Sequence, residues 1–213
     1  MSACLISDLH LHENRPELTK AFKKFLISHA ANVDSLYILG DLFEAWIGDD
    51  YENDFILDVK LELKKYSSLG KKIYLMHGNR DFLLGDKFCD DVGGLLLDDP
   101  TTAKINNFEV VLMHGDSLCT DDLDYQSFRT VVRDQKWKND FLEKEISERI
   151  QLAQNLREVS KAENKDKDYE IMDVNPMAVN EIFQKFKNNI LIHGHTHRPV
   201  SYTHLRAHET NSH

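Results

Sequence analysis

Polar and apolar positions along the chain follow two alternating patterns. Short apolar runs recur, and each closes on a polar cluster. ACLIS leads to Asp8 and His10, SLYILG to Asp41, KIYLMHG to Asn79 and Arg80, EVVLMHG to His114 and Asp116, and NILIHGH to His195 and His197. Runs of this length, rich in Ile, Leu, Val and Tyr and ended by Gly, predict buried strands. Between the first three runs the apolar period lengthens. In PELTKAFKKFLISHA, Leu18, Phe22, Phe25 and Leu26 share one helical face behind a Pro suited to a helix start. FILDVKLELKKY repeats the rule with Ile56, Val59 and Leu63. Strand alternating with helix predicts a parallel-rich α/β sheet, joined later by hairpin material around TTAKINNFEVVLM. In open α/β folds, sites form beyond the carboxyl ends of strands. Every polar cluster above sits at such an end.

Residues from about Asp124 to Lys161 break the alternation. Phe128, Val131, Val132, Trp137, Phe141, Leu142, Ile146, Ile150, Leu152 and Leu156 recur at roughly helical spacing among many charges. Two or more amphipathic helices inserted between sheet elements are expected. Two uses stay open: a helical layer packed on the core, or a cap that covers the site or meets lipid. AENKDKDYE then reads as a solvated loop, with order resuming at IMDVNPMAVNEIFQKF.

A chain of 213 residues fits one domain, or one domain carrying an insertion. Hydrophobic residues at 41% and charged residues at 29% indicate a globular chain. No apolar run approaches the roughly 18 residues of a spanning helix. The start, MSACLISDLH, lacks the basic and apolar regions of a signal peptide, so a cytoplasmic location is expected. Cys4, Cys89 and Cys119 are odd in number and show no C-x-x-C spacing, which favours buried reduced thiols over a disulfide framework or thiolate zinc. The charge balance, 26 − 36, gives −10 and argues against a nucleic-acid partner. An anionic small substrate stays open, because bound divalent cations reverse the local field.

Gathered together, the strand-end side chains are Asp8, His10, Asp41, Asn79, His114, His195 and His197. Two carboxylates, one amide oxygen and four imidazoles suit Mn, Fe or Zn better than Ca. Seven donors exceed what one ion takes from a protein. They fit two ions about 3.5–4 Å apart, bridged by one carboxylate, as used for in-line displacement at phosphorus. Such a pair generates a hydroxide nucleophile near neutral pH and neutralises charge on the phosphoryl oxygens.

DLH (8–10), GD (40–41), GNRD (78–81), MHGD (113–116) and GHTH (194–197) resemble the calcineurin-like metallophosphoesterase family, in the family's order and across most of the chain. The resemblance implies a four-layer α/β/β/α sandwich over 1–199, with a helical cap inserted at 123–172. It implies one metal on Asp8, His10, Asp41 and His197, and a second on Asp41, Asn79, His114 and His195, with Asp41 bridging. The residue after Asn79 is usually His in the family. Here it is Arg80, which has no proton to give. Its fork suits a phosphate oxygen that stays anionic, which favours a pyrophosphate over an alkyl phosphate ester.

Longer stretches, YILGDLFEAWIGDD, HGNRDFLLG, MHGDSLCTDDLDYQSFR, IMDVN and LIHGHTHRP, are similar to the lipid A branch of that family. Members of that branch hydrolyse UDP-2,3-diacylglucosamine at the α-phosphate with Mn²⁺, giving UMP and 2,3-diacylglucosamine 1-phosphate. The resemblance implies a cap that forms the acyl chamber and a peripheral seat on the cytoplasmic face of the inner membrane. It implies catalytic roles for Asp41, Asn79, Arg80 and His195. Contacts to the lipid-linked UDP-sugar are implied for Asn79, Arg80, Asp122, Ser160, Asn164, Lys167 and His195. Charges such as those of KNDFLEKEISER dilute the apolar face of the cap and leave acyl length open. Alternatives are another dimetal phosphodiesterase, nucleotide pyrophosphatase or nuclease on this fold, and a catalytically silent scaffold. Low basicity counts against a nuclease, and a full donor set counts against the scaffold.

After GHTHRP the chain reads VSYTHLRAHETNSH, without apolar period. VSYTHLRAHET is also what a common transposase-type sequencing adapter encodes in frame. Residues 200–213 are therefore expected to be a non-native tail and the last strands of the sandwich to be missing. His204, His208 and His213 are given no metal role.

Overall fold

In SLYIL, Leu36 and Ile38 face one side of a strand while Tyr37 and Leu39 face the other, and that split is repeated through the molecule. The computed structural model describes residues 2–165, 167, 171–188 and 190–197. Strands β1 (Ala3–Ile6), β2 (Ser35–Leu39), β3 (Lys72–Met76) and β4 (Gly94–Leu97) form a parallel sheet in that spatial order. A second sheet pairs β5 (Thr101–Ile105) antiparallel to β6 (Phe108–Met113), with β7 (Leu191–His193) parallel on the far side of β6.

On the outer face of the first sheet, Leu36, Ile38, Ile73 and Leu75 pack against α1 (Pro16–Ser28), α2 (Asp54–Ser68) and α3 (Asp86–Val92). Phe22, Leu26, Val59, Leu63, Phe88 and Val92 complete that layer. On the inner face, Tyr37, Leu39 and Met76 meet Val110 and Leu112 of β6 and Ile192 of β7. The opposite side of β6, Val111 and Met113, packs on Val179 of α7 (Pro176–Phe186). The layers therefore run helix, sheet, sheet, helix, as the motif resemblance implies. Local chemistry starts the helices. The Asn53 side chain accepts from the Ile56 N–H at 2.8 Å at the head of α2. Asn175 caps α7 just before Pro176, accepting from the Met177 and Ala178 N–H groups.

The sequence pattern missed α3 and β4. The helix has only 7 residues, and GLLL carries no clear period, with Leu95 left 62% exposed.

The inserted region folds as α4 (Leu123–Arg133), α5 (Gln135–Leu142) and α6 (Ile146–Lys165). Helix α6 continues through Lys165, so the first part of AENKDKDYE is helical rather than loop. Trp137, Phe141, Ile146, Ile150, Leu152 and Ala153 join the first core cluster beside Trp46 and Ile47. Arg149, 3% exposed, bolts α6 down: it donates to the carbonyls of Ile47 (2.8 Å) and Lys144 (3.0 Å) and to both carboxylate oxygens of Asp50. The insertion thus packs on the core and also overhangs the strand ends. No described helix is long and apolar enough to cross a membrane. The expected non-native tail, 200–213, lies outside the described residues.

Candidate active site

Backbone conformation marks the site before any side chain is considered. Asp8, His10, Asp41, His195 and His197 all have positive φ, between 48° and 70°. Among the described residues only two other non-glycine positions do so, Asn106 and Lys187. A left-handed conformation costs an L-residue roughly 1–2 kcal/mol, and such positions gather where function over-determines the backbone. Each of these five follows β1, β2 or β7 directly.

The candidate ligands gather around two positions, and Asp8 offers a ligand atom within 4.8 Å of those of Asp41 and His114 as well as those of His10 and His197. In the first, Asp8, His10 and His197 offer ligand atoms within 4.8 Å of one another, and His10 Nε2 faces His197 Nε2 at 3.2 Å. In the second, Asn79 Oδ1 lies 3.0 Å from both His114 Nε2 and His195 Nδ1. Asp41 Oδ2 stands between the sets, 3.7 Å from His10 Nε2 and 3.9 Å from His114 Nε2. A carboxylate so placed could serve as a shared ligand. Asp8 Oδ2 accepts from the His195 N–H at 2.8 Å, whereas buried Asp8 Oδ1 has no hydrogen-bond partner among the described residues. An orphaned carboxylate oxygen and facing ring nitrogens are poor company for each other but good company for cations. The donor set fits a pair of divalent ions of the kind this chemistry calls for.

Other groups hold these donors in place. Asp81, 1% exposed, accepts from the N–H groups of Gly78 (2.8 Å), Leu42 (2.8 Å) and Asp41 (3.2 Å), and so locks two strand-end loops together. The loops approach too closely for side chains: a Cβ on Gly78 would meet Asp41 Oδ1 at 2.0 Å, and one on Gly194 would meet Asp8 Oδ2 at 2.3 Å. His114 is fully buried and its Nδ1 contacts the Leu39 carbonyl at 2.9 Å, which leaves Nε2 for the site. Asp116, also fully buried, accepts from Tyr125 Oη (2.7 Å) and Arg129 Nε (2.8 Å), while Arg133 donates to the Gly78 carbonyl (2.9 Å). Helix α4 is thereby tied to two of the strand-end loops.

Charge is distributed unevenly here. Burial pushes the Asp41 carboxyl up to about 6, against the pull of His114 and His10. Burial pushes His195 down to about 4, helped by neighbouring His114, so its ring is neutral and able to ligate at pH 7. Burial would lower His114 as well, but Asp41, Asp116 and Asp8 outweigh it and raise the group. Burial would raise Glu44, yet His10 and Arg157 overcome it and hold that carboxyl at about 2.

A cavity of about 640 Å³ opens over this floor. His10, Asp41, Asn79, Arg80 and His195 line its polar end; Trp46, Phe82, Phe128, Trp137, Phe141 and Leu156 line an apolar wall built largely from the insertion. Of the expected substrate contacts, Asp122, Ser160 and Lys167 line it too. Lys167 Nζ pairs with Asp122 at 2.7 and 2.8 Å. Asn164 lies on α6, and its side chain is outside the described residues. Sequence reading gave no role to Glu44, Asp81, Asp116, Tyr125, Arg129, Arg133 or Arg157. The Asp of GNRD and of HGD lay in plain view within the motifs, and only their partners in the fold show what they do.

Two helix-flanked sheets whose strand ends pool oxygen and imidazole donors beneath a deep cavity define a metallophosphoesterase, and the chain belongs to the calcineurin-like phosphoesterase family, whose family model matches residues 1–199. Within it, the chain is 48% identical over 200 residues to the UDP-2,3-diacylglucosamine hydrolase of Chromohalobacter salexigens, covering 94% of this chain and 81% of that protein. It is 47% identical to the UDP-2,3-diacylglucosamine hydrolase of Marinobacter nauticus (94% and 82% covered) and 46% identical to that of Ectopseudomonas mendocina (92% and 81%).

Proposed function

We propose that this protein hydrolyses the pyrophosphate of UDP-2,3-diacylglucosamine at the α-phosphate, releasing UMP and 2,3-diacylglucosamine 1-phosphate. The observation that carries the proposal is a single cavity joining a polar, metal-suited floor to an apolar wall, in a chain that much resembles hydrolases named for this substrate. Bound on the floor, two Mn²⁺ ions would supply Lewis acidity toward the phosphoryl oxygens and activate water near neutral pH. Asp41 would be the ligand shared by the two ions, and its Oδ1 is fixed by the Arg80 N–H at 2.8 Å. Neutral His195 accepts the role of ligand without competing for a proton. The Arg80 guanidinium holds a phosphate oxygen of the leaving group, which departs as an anion and needs no general acid. Lys167 and Asp122, with Ser160 and Asn164, orient the sugar, and the insertion's aromatic residues shelter the acyl chains.

Two predictions test these roles. Asp41→Ala removes the shared ligand and should abolish turnover while far-ultraviolet circular dichroism stays native; near-normal turnover would refute the bridge. Arg80→Ala should slow pyrophosphate cleavage by roughly 10²-fold or more, as removal of a charge-stabilising donor does, and an activated aryl phosphodiester much less. Equal losses on both substrates would remove this account of Arg80. The deciding assay offers UDP-2,3-diacylglucosamine and the aryl diester together in detergent with Mn²⁺ and follows products by mass spectrometry. Aryl product without UMP would leave a dimetal phosphodiesterase of other specificity.

Leu123, Phe128 and Val131 project from α4 with 73%, 40% and 55% exposure. They support a peripheral seat on the cytoplasmic face of the inner membrane, from which an acylated substrate can enter the cavity.

A further inference from the structure

Glu44 lies three residues beyond Asp41, and three segments converge on its carboxylate. His10 Nδ1 approaches Glu44 Oε2 at 3.1 Å. Arg15, at the head of α1, donates to the same oxygen at 3.1 Å and to the His10 carbonyl at 2.6 Å. From the insertion, Arg157 of α6 pairs with Glu44 Oε1 and donates to the Glu44 carbonyl. The Glu44 side chain is 20% exposed, Arg157 18% and His10 15%, so the cluster is largely screened from water.

The arrangement decides a tautomer. A proton on Nδ1 faces a carboxylate, and Nε2 is then left with its lone pair aimed at Asp41 Oδ2 and His197 Nε2. The Nδ1–Glu44 approach is within hydrogen-bond distance but is not aligned as one. A modest turn of the ring, such as a cation drawing on Nε2 would impose, completes it. The same carboxylate is what α6 grips through Arg157. Ring orientation and helix docking therefore share one acceptor.

We propose that Glu44 is a positioning residue that couples cap helix α6 to the metal ligand His10, so that cation binding in the Asp8–His10–His197 set and docking of α6 reinforce each other. The coupling rests on the dimetal reading of the site. Carboxylate partners of ligating imidazoles typically change metal affinity by about 10- to 100-fold when removed. Reciprocity then requires the metal to strengthen α6 docking by the same factor that docking strengthens the metal.

The experiment titrates Mn²⁺ alone into the full chain, wild type, Glu44→Gln and Arg157→Lys. Calorimetry reads the two affinities, and hydrogen exchange reads protection of residues 146–160 with and without Mn²⁺. In wild type, two Mn²⁺ ions should bind and slow exchange in α6. Glu44→Gln should weaken one ion roughly 10- to 100-fold, leave the other nearly unchanged, and abolish the Mn²⁺-dependent protection. Arg157→Lys keeps Glu44 and the charge but loses the fork; it should weaken the same ion by a smaller factor and lose the protection, and it serves alone if Glu44→Gln fails to fold. Unchanged affinities in both variants, or Mn²⁺-dependent protection that survives them, would overturn the coupling. Wild type that binds no Mn²⁺ would instead overturn the dimetal reading beneath it.

Discussion

Asp41 carries a conflict that either a proton or a cation resolves. It is 2% exposed, it faces two imidazoles, and burial already holds its carboxyl near 6. Ligation requires the deprotonated form, so protons and metal compete for it. Its pKa is raised, hence below about 6 the Asp41 carboxyl holds a proton that Mn²⁺ must displace. The raised His114 acts in the same direction, while His195, held near 4, stays neutral throughout. Mn²⁺ affinity should therefore fall as pH drops, by more than roughly tenfold per unit between 6 and 5, where Asp41 and His114 both hold protons. Calorimetric titrations across that range check it; affinity undiminished at pH 5 would mean that Asp41 is not the limiting ligand. At this scale the sequence was most legible where chemistry is compact. Seven donors at five strand ends could be counted from the chain alone. Asp81, Asp116 and Glu44 could not, because their partners are backbone N–H groups or side chains far off in sequence: Glu44 and Arg157 are 113 positions apart.

Helices α1 and α2 were readable because one apolar stripe per helix meets one sheet face. Helix α6 was harder. Its apolar residues are interrupted by charges, and two of those charges, Arg149 and Arg157, turn inward to grip the loops after β2. An inward arginine looks in sequence like a solvated one. Arg149→Met should expose its contribution. The change keeps a long apolar stem but strands the Ile47 and Lys144 carbonyls, each costing about 1–3 kcal/mol when left unpaired in the interior. Urea unfolding should show that loss in the midpoint, and hydrogen exchange should place it in α5 and α6. A midpoint within error of wild type would show that the apolar contacts of Trp137, Phe141 and Ile150 dock the insertion unaided.

Across the molecule the candidate ligands are divided. Asp8, His10, Asp41 and Asn79 follow strands of the four-stranded sheet, whereas His114, His195 and His197 follow β6 and β7 of the other. The sheets meet through apolar packing of residues such as Leu39 and Leu112, and cations at the site would cross-link their ends. Removing metal should therefore loosen the whole sandwich rather than one loop. Each Mn²⁺ ion at about 100 times its dissociation constant adds about 2.7 kcal/mol, roughly 5–11 °C in midpoint per ion for a chain of this size. Chelator should reverse the shift, and Asp41→Ala should eliminate it. The four-layer order was legible because strand and helix periods alternate cleanly. The sharing of one site between two sheets was not, since no local pattern says which strands are neighbours.

That division carries one more consequence. The link from β4 to β5 runs only from Asp98 to Pro100, and it separates the chain into a piece with four of the donors and a piece with three. Neither piece holds either complete set. Cut at that link, the protein would become a two-component device whose reassembly reports available divalent cation, with recovered turnover as its signal.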